Sequence, residues 1–224
     1  MKSKILMLLA LPAMLFVGCN SAPEKKADTP QPADSEVMAN EAKMAENSKA
    51  ADLKTAMRKL WEDHVAWTRN VILNIMDGLP GTDQAVARLL KNQDDIGNAI
   101  KPYYGDEAGK KLTDLLHAHI TIAADLLKAA RADNKAAFDD ANNKWLANAD
   151  EISSFLSGAN PNWKLDDMKS MMHDHLKLTT DEAVARKKKD YDADIKAYDN
   201  VHDEILKMSD MLTDGIVKQF PEKF

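Results

Sequence analysis

The sequence predicts an all-α protein, an antiparallel helical bundle of about five or six helices. Apolar residues recur every three or four positions over most of the chain, which is the helical period, and no stretch alternates as a strand does. Glycine and proline number only eight each among 224 residues, and several of them stand in turn signals between the apolar stretches. Because 45% of the residues are hydrophobic, the chain can bury one good-sized core.

The first three helices are separated by two turn signals. The first helix ends at DGLPGTD, residues 77–83, where Gly and Pro stop the helix and Thr82 can cap the next one. A second, shorter helix then runs to KPYYGD, residues 101–106. The apolar positions that mark the first and third helices are Leu53, Met57, Leu60, Trp67 and Val71, and Leu112, Leu116, Ile120, Ala123 and Leu127.

The remaining helices occupy about the last two-fifths of the chain. The fourth stops at SGANPNW, residues 157–163, because Gly158 and Pro161 break it. The fifth begins near Trp163 and contains MMHDHL. The stretch TTDE, residues 179–182, has the spacing of a capping box and predicts the start of a long last helix.

The N-terminal segment has the order of a secretion signal. MKSK supplies positive charge, ILMLLALPAMLFV is an apolar stretch too short for a comfortable membrane span, and Gly18 precedes the only cysteine, Cys19. This arrangement resembles the lipobox of bacterial lipoproteins, which implies a signal peptide at 1–18 and lipidation of Cys19. The resemblance places the protein in the bacterial cell envelope, anchored to the membrane and facing the periplasm or the exterior. Asn20 after the cysteine favours the outer membrane where the cell has one.

The segment after the cysteine predicts a spacer. Residues 19–50 are rich in Pro, Ala, Glu, Lys, Ser and Asp and offer almost nothing to bury, so we expect a flexible tether followed by a helical-bundle domain at 51–224. The net charge of −6 argues against a nucleic-acid partner, since phosphate binding needs clustered Lys and Arg. The expected partners are the membrane, through the lipid, and other envelope proteins.

Four of the six histidines lie in two similar phrases, LLHAHI at 115–120 and MMHDHL at 171–176. In a helix the two rings of His-x-His lie about 200° apart, so each phrase can offer one histidine to the core. Steps of three and four along the apolar positions select His119 and His175 as the inward members. The same stepping selects His64 on the first helix and His202 on the last.

Four inward histidines predict either a metal site or separate structural roles. Imidazole suits Cu, Zn, Fe and Ni, and helical bundles build such sites from facing helices. The sequence therefore makes His64, His119, His175 and His202 candidate ligands of one transition-metal ion, with Asp199 as a further ligand or an acceptor beside them. Methionines at 168, 171, 172, 208 and 211 add soft donors that suit Cu(I). The alternative is that each histidine bonds separately to a nearby polar residue.

The body of the chain carries a second resemblance. The stretches LWEDHVAWTRNVI, LKNQDDIGNAIKPYYG, NADEISSFLSGANPNW and DMLTDGIVKQFPEKF are similar to a group of all-helical bacterial proteins sometimes labelled glycosyltransferase. The similarity covers roughly residues 55–224 and implies a helical fold without naming catalytic residues. We predict a binding protein, with a metal-free envelope structural or interaction protein as the alternative. An enzyme is the weaker alternative, by redox chemistry at a bundle metal or as a glycosyltransferase, because no nucleophile or strand-borne motif is present.

Overall fold

The computed structural model describes residues 32–224, with side chains given throughout from residue 48. Residues 40–224 form one compact helical unit. Its helices are α1 (Pro32–Asp77), α2 (Thr82–Arg131), α3 (Lys135–Ala159), α4 (Leu165–Lys187) and α5 (Tyr191–Gln219), followed by a short 3₁₀ turn at Pro221–Lys223. No strand occurs in this described part of the chain, and the predicted all-α bundle is confirmed.

The long helix α2 is two antiparallel arms. Gly105 interrupts it with φ 85° and ψ 170°, a backbone conformation open almost only to glycine. The arms, 82–104 and 106–131, fold back on each other so closely that a Cβ added at Gly97 would lie 2.7 Å from the Gly109 carbonyl oxygen. The two helices predicted on either side of KPYYGD are these two arms, so the bundle has six helical segments.

Two boundaries differ from the sequence prediction. The predicted capping box at 179–182 does not start a helix, because α4 continues through it to Lys187 and α5 begins at Tyr191. Thr179 is buried instead, and Glu182 accepts a hydrogen bond from Arg69 on α1 at 2.6 Å. Thr82 begins α2, but its hydroxyl donates to the Leu79 carbonyl rather than capping the helix.

The first helix starts earlier than the sequence indicated. It begins at Pro32, inside the segment predicted as tether, and its side chains Val37, Met38 and Met44 are exposed. The predicted signal peptide, Cys19 and the first part of the tether lie outside the described residues.

The core consists of two apolar clusters along the bundle. The larger one includes Met57, Trp61, Ile152, Met208 and Ile216. The smaller one joins the C-terminal part of α1 to both arms of α2 and to α4, through Ile72, Leu89, Leu127 and Ala183 among others. The candidate site lies between these clusters.

Candidate functional site

Three of the predicted histidines meet at one level in the core. His64 on α1, His119 on the second arm of α2 and His175 on α4 are each no more than 4% exposed. The ring centroids of His64 and His175 are 5.8 Å apart, and those of His119 and His175 are 6.4 Å apart. The three imidazoles therefore form a polar layer, which we call the histidine layer.

The histidine layer is built from three equivalent helix pairs. The pairs are α1 with the first arm of α2, the second arm of α2 with α3, and α4 with α5. Each pair carries its histidine on its first helix, and the step along the sequence from His64 to His119 nearly equals the step from His119 to His175. An apolar residue stands three positions before each histidine, and all three of these residues line the same cavity: Trp61, Leu116 and Met172.

The second helices of the three pairs also place side chains at equivalent positions. The same number of residues separates each such position from its equivalent in the next pair. These side chains line the same cavity: Ile96, Ile152 and Met208, and one turn later Ile100, Leu156 and Leu212. The matching positions show that the three histidines converge because the fold repeats, rather than by three separate coincidences of packing.

Each histidine is held through Nδ1 by a polar residue of its own helix pair. His119 Nδ1 lies 2.9 Å from Asn148 Oδ1, and His175 Nδ1 lies 2.9 Å from a carboxylate oxygen of Glu204. Both partners stand 29 residues after their histidine. His64 Nδ1 lies 3.2 Å from the amide nitrogen of Gln93. The rings are thus oriented from outside the layer.

Two asparagines confirm the equivalence of the first two pairs. The Asn148 amide donates to the Leu115 carbonyl oxygen at 3.1 Å, and the Asn92 amide donates to the Leu60 carbonyl oxygen at 3.0 Å. Each of these carbonyls belongs to the residue four positions before the histidine of the pair. In the third pair the position that corresponds to these asparagines is Glu204. The third pair therefore brings the only carboxylate that contacts the layer in the described chain.

The three histidines differ in whether Nε2, the other ring nitrogen, has a hydrogen-bond partner. His119 Nε2 accepts a hydrogen bond from the Trp145 indole at 3.1 Å, which makes His119 a neutral ring with the proton on Nδ1. Among residues 32–224 the structure gives Nε2 of His64 and of His175 no hydrogen-bond partner. Because the Gln93 amide N–H faces His64 Nδ1, the proton of the neutral His64 ring is on Nε2, whereas the Nδ1 of His175 faces a carboxylate and can keep its proton there.

Burial keeps two of the imidazoles uncharged. It holds the pKa of His64 well below its usual range, and the neighbouring rings of His175 and His119 lower that pKa further. Burial, followed by the neighbouring His175, lowers the pKa of His119 to about 3. The neutral imidazole is the form that binds metal ions, so neither ring is an imidazolium that must lose its charge before an ion enters.

Small cavities lie on both sides of the histidine layer. The one on the side of the larger apolar cluster has a volume of about 30 Å³, and the one on the other side about 20 Å³. A single water needs roughly 10–15 Å³, so either space fits one water or one metal ion and no organic ligand. His64, His119 and His175 line both cavities.

The fourth predicted histidine does not join the layer. His202 is about one-third exposed and lies 3.7 Å from Glu62 at the edge of the bundle. Asp199 is exposed. The stepping that selected His202 follows Tyr191, Ile195 and Tyr198. This prediction was wrong, because the buried positions of α5 are Asp194, Ala197, Val201 and Ile205. The first buried residue of α5 is Asp194, and because it is charged, a search for apolar residues does not identify the buried stripe.

The outer members of the two His-x-His phrases behave as predicted. His117 lies on the wetter side, 2.9 Å from Asp94, and His173 lies 3.0 Å from Asp150. The inference that each phrase places one ring inside and one outside is confirmed.

The described residues contain no group of three or more His, Cys, Asp or Glu side chains arranged to hold a metal ion as they stand. Two imidazoles bound to one ion at about 2.0–2.1 Å have centroids roughly 4.5–5.5 Å apart. The observed separations of 5.8 and 6.4 Å are slightly larger than this range. The rings as they stand are therefore too far apart to share one ion in this way.

A scan against protein-family models and searches of the curated proteins and of the solved structures found no match. The resemblances seen in the sequence therefore stay predictions. Over residues 32–224, none of the helices combines the length and apolarity that crossing a bilayer requires.

The residues that orient the rings were missed by the sequence reasoning. Asn148 is 5% exposed and bonds to His119, but it was not among the predicted site residues. Glu204 was not singled out. The available signal was a third copy of the histidine phrase, LWEDHV at 60–65, at nearly the spacing that separates LLHAHI from MMHDHL.

Proposed function

We propose that this protein is a lipid-anchored binding protein of a bacterial envelope, and that its core takes one transition-metal ion between His64, His119 and His175. The observation that carries the proposal is the convergence of three equivalent imidazoles beside cavities sized for one ion. Bundles place metal sites in this way, with ligands projecting inward from facing helices.

The outer hydrogen bonds support the proposal. A metal-bound histidine almost always donates its other ring N–H to a carboxylate, a carbonyl oxygen or water, which fixes the ring and its tautomer. His175 with Glu204 and His119 with Asn148 have this arrangement, at 2.9 Å each. It leaves Nε2 as the coordinating atom on both rings.

Ion binding requires small movements in the layer. The rings must approach by roughly 1 Å to share an ion, since nitrogen ligands stand about 2.0–2.1 Å from a metal such as zinc. His119 must also release the hydrogen bond that Nε2 accepts from Trp145. For His64 the Gln93 amide must turn, so that Oε1, which has no partner in the described chain, accepts from Nδ1–H; the bonds that Gln93 Nε2 donates to Leu89 and Asn92 are then lost. His175 needs neither change and is the first ligand, with His64 as the second and His119 as the third.

Metal titration of the full chain with Zn²⁺, Ni²⁺ and, under reducing conditions, Cu(I) tests this site. We expect one ion per chain, and at least a hundredfold weaker binding in the His64→Ala/His175→Ala double variant, because two of the three proposed ligands are gone. The matched control is His117→Ala/His173→Ala, which removes the outer histidines of the two phrases and should bind as the parent does.

Trp145→Phe separates a ligand role of His119 from a structural one. A hydrogen bond of this kind contributes about 0.5–1.5 kcal/mol, so its removal should tighten metal binding by roughly 2- to 10-fold if His119 Nε2 is a ligand. Binding that is lost in the control double variant, or no bound ion at micromolar concentrations, contradicts the proposed site.

The anchor rests on the N-terminal sequence alone. Lipidation of Cys19 and export to the envelope follow from the lipobox-type signal, with the helical domain facing the periplasm or the exterior. Growth with a labelled fatty acid should label the parent and leave a Cys19→Ser variant unlabelled. A labelled variant, or an unlabelled parent, contradicts the anchor.

The second candidate function is an envelope structural or interaction protein without a metal. It is favoured by His119, whose two ring nitrogens are both satisfied within the protein. In this case the histidine layer specifies the packing of the three helix pairs, and the titration finds no ion.

A further inference from the structure

The atoms around the histidine layer restrict which ion it can take. The two cavities beside the layer are lined by no Asp, Glu or Cys side chain. The donor atoms present are imidazole nitrogens, the thioether sulfurs of Met57, Met172 and Met208 on the larger cavity, and the hydroxyl oxygens of Thr68, Thr179 and Thr180 on the smaller one. Hard ions such as Mg²⁺ and Ca²⁺ need a shell of oxygen ligands that includes carboxylates, so the site does not suit them.

Met172 and Met208 belong to the third helix pair. At the equivalent positions, the first two pairs carry side chains that cannot bind a metal ion. Met172 stands where the first two pairs have Trp61 and Leu116, and Met208 stands where they have Ile96 and Ile152. The third helix pair therefore brings two of the three sulfur donors to the cavity, and Met57 on α1 brings the other. Thioether ligands select Cu(I) among the biological transition metals.

Charge balance points to the same ion. Metal-bound imidazoles are neutral, and the one carboxylate that contacts the layer in the described chain is Glu204, through His175. A monovalent cation needs less compensating negative charge in this apolar core than a divalent cation does. Glu182, two turns further along α4, is already paired with Arg69 at 2.6 Å.

We propose that the ion of the histidine layer is Cu(I), held by Nε2 of His64 and His175 and by the thioether sulfur of Met172 or Met208. This inference rests on the proposed function and names the ion of the same site. The binding is a ligand exchange without electron transfer: Cu(I) leaves a carrier ligand and keeps its oxidation state.

The test is a competition experiment on the full chain in detergent without oxygen. Cu(I) is supplied as its coloured complex with bathocuproine disulfonate, and loss of colour reports transfer to the protein. Zn²⁺ is titrated in parallel against a zinc chelator. The variants are Met172→Leu/Met208→Leu, which conserves side-chain volume, and Met44→Leu, whose parent side chain is 67% exposed, as the matched control.

We expect one Cu(I) per chain, with an affinity at least tenfold lower in Met172→Leu/Met208→Leu and unchanged in Met44→Leu. The affinity for Zn²⁺ should not differ among the three proteins. Stoichiometric Zn²⁺ without Cu(I), or Cu(I) binding that ignores Met172 and Met208, overturns the Cu(I) inference and leaves the metal site standing. Failure to bind any ion overturns both.

Discussion

Replacing Asp194 by alanine is expected to lower the free energy of unfolding by about 3 kcal/mol, because it removes the buried carboxylate that Arg69 and Arg186 share. Asp194 is 1% exposed and accepts hydrogen bonds from Arg69 at 2.9 and 3.2 Å and from Arg186 at 3.3 Å. Arg69 also binds Glu182, and Arg186 also pairs with Asp77. The carboxylate thus ties α1 and α4 to the first turn of α5. Urea denaturation measures the change.

The matched control for Asp194 is Asp210. Asp210 accepts from Arg58 in a bidentate pair, but its side chain is 25% exposed and that of Arg58 is 44% exposed. Solvent screens exposed pairs of this kind, so Asp210→Ala should lower the stability far less than Asp194→Ala does. Equal costs for the two variants contradict a stabilising role of the buried network.

Replacing Gly97 by alanine is expected to destabilise the bundle by about 2–3 kcal/mol, because the arms of α2 have no room for a methyl group between them. The added Cβ would lie 2.7 Å from the Gly109 carbonyl oxygen, and backbone atoms cannot rotate away as a side chain does. Forcing the arms apart also moves Asn92 and Gln93, which lie beside His64. Chemical denaturation gives the size of the loss.

Gly158→Ala is the comparison for Gly97→Ala. Gly158 is also helical, but a Cβ there meets nothing within 4 Å. Alanine favours a helix over glycine by up to about 1 kcal/mol, so Gly158→Ala should leave the stability unchanged or raise it. A Gly97→Ala protein as stable as the parent contradicts the close packing of the two arms.

The sequence predicted three members of the site because helical periodicity is strong around them. His64, His119 and His175 each stand on a clear apolar stripe with a three- and four-residue step. The common level of the three rings could not be read in this way, since it depends on how far each turn displaces the next helix. The spacing from His64 to His119 nearly equals the spacing from His119 to His175, as expected for equivalent positions in three repeated helix pairs, and equivalent positions lie at the same level of the bundle.

The prediction failed on α5 because polar residues are buried there. The stripe through Tyr191 and Ile195 is apolar in composition, yet both side chains are at least half exposed. Asp194 takes the inward position because Arg69 and Arg186 neutralise it, and a pattern of apolar residues does not record such a pairing. His202 was placed inside by the same error.

The two helix boundaries near Gly105 and Thr179 show a related contrast. Gly105 ended a helix as expected, since its positive φ requires glycine. Thr179 and Glu182 have the spacing of a capping box, but they lie within α4 and their side chains are buried in the core. Local spacing cannot distinguish the two uses, because only the packing partner, Arg69, decides between them.

The most direct test of the proposed site is an anomalous-difference map from crystals of the metal-loaded full chain, recorded at the absorption edge of the bound metal. The structure predicts one strong peak in the histidine layer, at about 2.0–2.3 Å from Nε2 of His64 and His175, as nitrogen and sulfur ligands require. Peaks only beside outer histidines such as His117 and His173, or no peak at all, would contradict the proposed metal site.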